Sequence, residues 1–130
     1  MWRRVARVLA LALLLVSGGI GLRDGLTDWS GVTNTPQAMV IGGVLAYGVL
    51  GIAAALAVVR RWRSAGWLVT LWGVDVTMVA TLAPRAYGGP DVPLVGALAG
   101  GLATALLAYG IWWATIRNVR PAAPVAPVSR

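Results

Sequence analysis

Residues 38–59 form a run of 22 without a charged side chain, and residues 94–116 form another of 23. A transmembrane helix needs roughly 20 consecutive apolar residues. Residues 5–22 and 64–83 are two further apolar segments of similar length. Lipid cannot satisfy exposed backbone groups, and the short alternating segments of a membrane barrel are absent. The sequence therefore predicts an all-α protein, a bundle of four transmembrane helices at 5–22, 38–59, 64–83 and 94–116.

Composition supports this class and excludes several functions. Of 130 residues, 58% are hydrophobic and only 12% are charged, whereas soluble domains have about 25% charged residues. Cysteine and histidine are absent, so disulfides, thiolate chemistry and the commonest zinc, haem and general-base residues are excluded. We expect no enzymatic activity, no catalytic residues, no metal and no cofactor. The net charge of +7 comes from arginines that flank apolar segments, so we expect contact with membrane lipids and not with nucleic acid.

The arginines also predict an orientation. Only Arg23 and Arg85 lie on one side of the predicted bundle. The other side carries nine, at positions 3, 4, 7, 60, 61, 63, 117, 120 and 130. Because cytoplasmic loops carry the excess of basic residues, we expect both termini in the cytoplasm. Within this set, Arg60, Arg61 and Arg63 are expected to act as topology determinants or to bind lipid headgroups.

The connectors suggest one membrane domain, 1–120, and a tail. The basic turn at 60–63 is short enough to force the second and third helices into an antiparallel hairpin. Pro84 is expected to end the third helix, because proline removes a backbone hydrogen bond. Three prolines in 121–130 favour a disordered, extended tail.

The N-terminus leaves two interpretations open. Arg3, Arg4 and Arg7 precede an uncharged apolar run of 15 residues. A signal peptide has this pattern, with an apolar region of 7–15 residues. Small residues such as Ser17, Gly18 and Gly19 follow, but without an Ala-x-Ala pattern. We expect an uncleaved first helix, and a cleaved signal peptide is the alternative.

Asp75 is the one acid within residues 64–83. An ionisable side chain inside a membrane costs several kcal/mol and normally faces a protein interior or a water-filled path. At 1.5 Å per residue, Asp75 lies roughly 16 Å into the third helix, near the middle of a hydrocarbon core about 30 Å thick. The same arithmetic places one hydroxyl of each other helix at a similar depth. We therefore expect an intramembrane polar cluster, with Tyr47 the principal donor to Asp75: Asp75, Tyr47, Thr104 and Ser17.

The faces of the third helix complicate this prediction. Asp75 shares its sector with Leu68, Trp72 and Val79, whereas the opposite sector is a weakly polar stripe that includes Gly73 and Thr77. Small-residue stripes are typical of close helix packing. Either both faces of the helix are contacted, or Asp75 points into a cavity or towards a partner subunit. A structural role and a role in ligand, ion or proton binding both stay open.

In outline the chain resembles small DoxX-like bacterial membrane proteins. The resemblance lies in the size of the chain, its four spans, the arginines before the first helix, the residues Gly19–Arg23 that end that helix, and the basic turn at 60–63. It implies a four-helix membrane fold in the bacterial cytoplasmic membrane and association with redox partners. We therefore expect an accessory or assembly component, in a larger complex or homo-oligomer, or a module that binds a small ligand. The alternative is a proton- or ion-coupled transporter that uses Asp75.

Overall fold

The structure, a computed structural model, describes residues 1–117 and 127–128, and within them it contains four α-helices and two short helical turns. A 3₁₀ turn at Asp28–Gly31 follows α1, and a π-helical turn at Trp113–Arg117 extends α4. Each long helix is apolar enough to cross a membrane, which confirms the all-α prediction and indicates a multi-pass membrane protein. Of the predicted tail, only residues 127 and 128 are described. The helices are α1 (Trp2–Thr27), α2 (Thr35–Val59), α3 (Ala65–Gly88) and α4 (Leu94–Trp112).

Consecutive helices pack as antiparallel neighbours, and the main hydrophobic core lies at one end of the bundle. We call this the arginine end, since it holds Arg3, Arg4, residues 60–63 and Arg117; the other, with Asp24, Asp28 and Asp91, is the aspartate end. In α3, which is described throughout, no residue after Trp72 is buried. Side chains of α3 are therefore less buried towards the aspartate end. The core lies at the arginine end and consists of Ala10, Leu14, Ala54, Ala55, Ala57, Val58, Ala65, Val69, Trp72, Ala108, Ile111 and Ala114.

The backbones of α1 and α2 are in direct contact along a seam of glycines. A Cβ atom at Gly48 would lie 2.5 Å from the backbone nitrogen of Leu22, and one at Gly25 would lie 2.6 Å from Cα of Leu45. Only glycine allows so close an approach, the usual means by which membrane helices gain packing contacts. The seam is formed by Gly18, Gly21, Gly25, Gly48 and Gly51.

Both faces of α3 are contacted by neighbouring helices, which is the first of the two alternatives that the sequence left open. On one face, the buried indole of Trp72 reaches Gly51 of α2, where its Nε1 would be 3.2 Å from a Cβ atom. On the other face, Gly73 packs against Ala108 of α4, with 3.2 Å between a Cβ atom at residue 73 and Cβ of Ala108. The small-residue stripe thus serves the α3 to α4 contact, and the sector of Asp75 faces α2.

The expectation that Pro84 ends the third helix is wrong. Pro84 lies inside α3, which continues to Gly88 and stops at Gly89, whose φ of 74° is the left-handed conformation that glycine favours. Proline's φ is compatible with a helix, and here it removes only the bond to the carbonyl of Ala80, about one turn before the helix ends. The cost is therefore local, and α3 is longer than expected.

Two capping arrangements fix the ends of α2. At its start, Asn34 accepts a hydrogen bond from the backbone of Gln37 at 3.0 Å, while the Gln37 amide donates to the carbonyl of Ala86 in α3 at 3.4 Å. At its end, Trp62 N–H donates to the carbonyl of Ala57 and Arg61 N–H to that of Val58, the two bonds of a Schellman motif. Arg61 occupies the position usually taken by glycine, with a φ of 55°.

Candidate functional site

Asp75 lies beside a cavity between α2 and α3. The cavity has a volume of about 310 Å³. The Oδ2 atom of Asp75 is shielded from solvent and has no hydrogen-bond partner among the described residues. Apart from the carboxyl group, the walls are apolar: Met39, Val40, Gly42, Gly43, Ala46, Met78, Val79 and Leu82. An unpaired carboxyl oxygen in such surroundings is suited to contact a cation or a hydrogen-bond donor.

Gly43 makes the room for this carboxyl group. A Cβ atom at residue 43 would lie 3.6 Å from Oδ1 of Asp75 and 2.5 Å from Cγ2 of Val79. Its neighbour Gly42 also lines the cavity but has nothing within 4 Å of such a Cβ atom. Gly43 is not among the residues that the sequence pattern predicts to form the site. Gly43 is identified by its position directly opposite an intramembrane acid on the next helix.

Tyr47 occupies a different place from the one we expected. Its ring packs on Gly21 of α1, where a Cβ atom would lie 2.5 Å from Cε2 of the ring. The described residues include no hydrogen bond between Tyr47 and Asp75. Tyr47 instead lines a second cavity of about 490 Å³ at the aspartate end, together with Asp24, Asp28 and Tyr87.

The other two members of the expected cluster bond within their own helices. The hydroxyl of Ser17 donates to the carbonyl of Leu14 at 3.1 Å, and that of Thr104 donates to the carbonyl of Gly100 at 2.8 Å. Neither residue lines the cavity beside Asp75. In the part of the chain that the structure describes, the four polar groups are thus not joined by hydrogen bonds, and Asp75 is the member that faces a site.

The two cavities adjoin. Val40 of α2 and Val79 of α3 line both of them. The larger cavity carries the carboxylates of Asp24 and Asp28, and the smaller one carries Asp75. Two apolar side chains therefore separate an acidic chamber at the aspartate end from the acid in the middle of α3. Within residues 1–117 and 127–128, no three Asp, Glu, His or Cys side chains converge to hold a metal ion.

The arginines of the short turn are exposed and one of them is held by an aromatic ring. The guanidinium of Arg60 lies 5.8 Å from the centre of the Trp62 ring, a cation–π distance. Arg61 and Arg63 are also exposed. Arg7 differs, since it is half-buried and donates to the carbonyl of Val58 at 3.2 Å, which joins α1 to the end of α2.

A third opening lies between α3 and α4 and contains no acid. This groove has a volume of about 600 Å³ and its walls are mainly apolar. Its floor is the contact of Gly73 with Ala108, and its rims include Thr70, Val74 and Tyr109, which are exposed. The small-residue stripe of α3 is visible in the sequence, whereas the groove is visible only in the structure.

Comparison of the chain with models of known protein families, with curated proteins and with solved structures finds no match.

Proposed function

We propose that this protein is a non-enzymatic membrane module that binds a small amphiphilic ligand between α2 and α3, with Asp75 contacting a cationic or donor group of that ligand. The observation that carries the proposal is the shielded, unpartnered Oδ2 of Asp75 beside a cavity of about 310 Å³. Leaving a buried polar atom unpaired costs about 1–3 kcal/mol, which a donor from a ligand would offset. The volume is at the small end of the range for ligand pockets, roughly 300–1,000 Å³.

Access to this cavity is lateral. Met39 and Met78 are 63% and 53% exposed, and Ala46 is exposed as well. These three side chains form the outer wall of the cavity, on the lipid-facing surface between α2 and α3. A ligand dissolved in the bilayer would therefore reach Asp75 without crossing the core. Methionine side chains are flexible and adapt to ligands of different shape.

The surroundings of the protein form part of the proposal. We place it in the bacterial cytoplasmic membrane, as in the DoxX-like proteins that it resembles, with the arginine end and both termini in the cytoplasm. Membrane lipids are its immediate partners. If it acts as an accessory or assembly component, a helix of a larger complex or of a second copy would cover the same lateral opening and contact Asp75.

The test uses the protein in lipid nanodiscs with octylamine as the probe and octanol as its uncharged counterpart. We expect octylamine to raise the Tm of the wild type, and Asp75→Asn to weaken that response at least fivefold. Asp91→Asn removes an acid outside this cavity and is the matched control. Equal responses of the wild type and Asp75→Asn would contradict ligand recognition. Copurification of a stable complex in mild detergent, lost in Asp75→Leu, would favour the accessory alternative.

A second candidate is proton or ion coupling through Asp75. It is favoured by one specific observation, the acidic chamber with Asp24 and Asp28 that adjoins the Asp75 cavity across Val40 and Val79. Movement of these two valines would connect Asp75 to the aspartate end. Proteoliposomes with an imposed pH gradient test it: a flux that Asp75→Asn abolishes supports coupling, and absence of any pH-dependent or ion-dependent flux contradicts it.

A further inference from the structure

The groove between α3 and α4 has the dimensions of one membrane leaflet. It runs from Val69 to Met78 along α3, which is nine steps of 1.5 Å, or about 13 Å. Half of a hydrocarbon core is roughly 15 Å deep. Beyond the groove, on its aspartate side, Gly101 of α4 packs directly against the side chain of Thr81, so the two helices close again there. A partner helix that crosses the bilayer needs twice this length, but one lipid chain does not.

The end of the groove nearer the membrane surface is basic and aromatic. Trp112 lines the groove at its arginine end. The π-helical turn that follows places Arg117 about one helical turn further towards that end. Arg63 lies in the turn just before α3, seven residues before Thr70, which lines the groove. The two helices meet at this level, since a Cβ atom at Gly66 would be 3.9 Å from Cγ2 of Ile116. Arg63 and Arg117, both exposed, therefore lie at the same end of the groove.

We infer that this groove holds an acyl chain of an anionic phospholipid, with the headgroup phosphate bound by Arg63 and Arg117. The apolar walls match a hydrocarbon chain, and the groove length matches one leaflet. Guanidinium groups bind phosphate oxygens through paired hydrogen bonds, and tryptophan rings prefer the headgroup level. The lipid comes from the leaflet at the arginine end. The groove lies on the α4 side of α3 and shares one wall residue, Met78, with the Asp75 cavity; the proposed phosphate contacts at Arg63 and Arg117 do not involve Asp75.

Native mass spectrometry of the protein in mild detergent, with phosphatidylglycerol or phosphatidylcholine added, tests the site. We expect the wild type to retain phosphatidylglycerol at least fivefold more strongly than phosphatidylcholine. The double variant Arg63→Gln/Arg117→Gln should lose this preference. Arg3→Gln/Arg4→Gln removes the same charge from the same end of the bundle, away from the groove, and should keep it. Equal retention of both lipids by the wild type, or equal losses in the two double variants, would overturn the inference.

A second measurement locates the acyl chain independently of the headgroup. Phosphatidylglycerol with a photoreactive diazirine in its chain should label the groove rim, at Val74, Met78 and Tyr109. Ala105→Phe fills the groove from α4 and should reduce this labelling at least threefold, while the variant elutes as the wild type does in size-exclusion chromatography. Labelling spread evenly over the exposed faces of α1 and α4, or unchanged labelling of a folded Ala105→Phe variant, would overturn the site.

Discussion

Asp75 and Gly43 face each other across the interface of α2 and α3, with 3.6 Å between Oδ1 and the position that a Cβ atom at residue 43 would take. The same Cβ atom would lie 2.5 Å from Cγ2 of Val79. A side chain at residue 43 would thus displace Val79, which also separates the two cavities, and would narrow the space beside the carboxyl group.

Gly43→Ala should therefore destabilise the protein by about 1–3 kcal/mol, the usual cost of overpacking. Gly42→Ala is the matched control, because nothing lies within 4 Å of its added Cβ atom. It should be neutral or stabilising by up to about 1 kcal/mol, since alanine is the better helix former. Unfolding by SDS titration in mixed micelles measures both. Equal effects of the two substitutions would contradict the placement of Gly43.

The seam between α1 and α2 should be more sensitive still. Gly48→Ala would bring a Cβ atom to 2.5 Å from the backbone nitrogen of Leu22, and backbone atoms cannot turn aside as a side chain can. We expect a loss of about 3 kcal/mol or more, at the upper end of overpacking costs. Gly19→Ala, which meets nothing within 4 Å, should leave stability nearly unchanged in the same SDS titration. A tolerated Gly48→Ala would show that the two helices lie further apart.

The left-handed conformation of Arg61 gives a stabilising substitution. A non-glycine residue in this conformation costs about 1–2 kcal/mol, so Arg61→Gly should raise the free energy of unfolding by about 1 kcal/mol. Arg60→Gly is the control: Arg60 has ordinary helical angles, and the change also removes its contact with Trp62. It should lower stability. Thermal unfolding monitored by circular dichroism distinguishes the two, and a destabilised Arg61→Gly would contradict the Schellman geometry.

Tyr47 and Asp75 should behave independently. A double-mutant cycle of Tyr47→Phe and Asp75→Asn should give a coupling free energy below about 0.5 kcal/mol, as expected for groups without a shared hydrogen bond. Polar pairs that do bond in membrane proteins reach up to about 1.7 kcal/mol. SDS titration of the four proteins of the cycle measures the coupling. A value above about 1 kcal/mol would restore the pair that the sequence predicted.

The orientation can be measured directly because the chain has no cysteine. A single cysteine at Arg63→Cys should resist an impermeant maleimide in intact cells and react once the membrane is opened. Gly31→Cys and Asp91→Cys, at the aspartate end, should react in intact cells. Labelling of residue 63 from outside would reverse the proposed topology.

The number and type of the helices could be predicted, because the length of the charge-free segments and the absence of backbone partners in lipid decide them. Their ends were harder to predict. The second helix starts at Thr35 because Asn34 caps it and Pro36 is tolerated in a first turn, and the third continues past Pro84. The apolar run had suggested a start at residue 38, three residues late, and Pro84 had suggested an end at residue 83, five residues early.

The site was predicted only in part, for a geometric reason. A rise of 1.5 Å per residue gives depth, and so Tyr47 and Asp75 were expected to meet. The direction of each side chain depends on how α2 packs against α1 and α3, which depth does not determine. The glycine seam turns Tyr47 towards Gly21, and Gly43 leaves room beside the carboxyl group of Asp75. Gly18, Gly21 and Gly25, spaced by three and four residues, were a readable signal for that seam.

The seam also gives assembly in the membrane an order. Helices α1 and α2 are synthesised first, and their backbones contact each other without any side chain from α3 or α4. The pair can therefore form before α3 has left the ribosome. The surface at Gly51, on which the indole of Trp72 packs, is then already formed, and α3 packs against it. A chain that ends after residue 63 should accordingly pair its two helices.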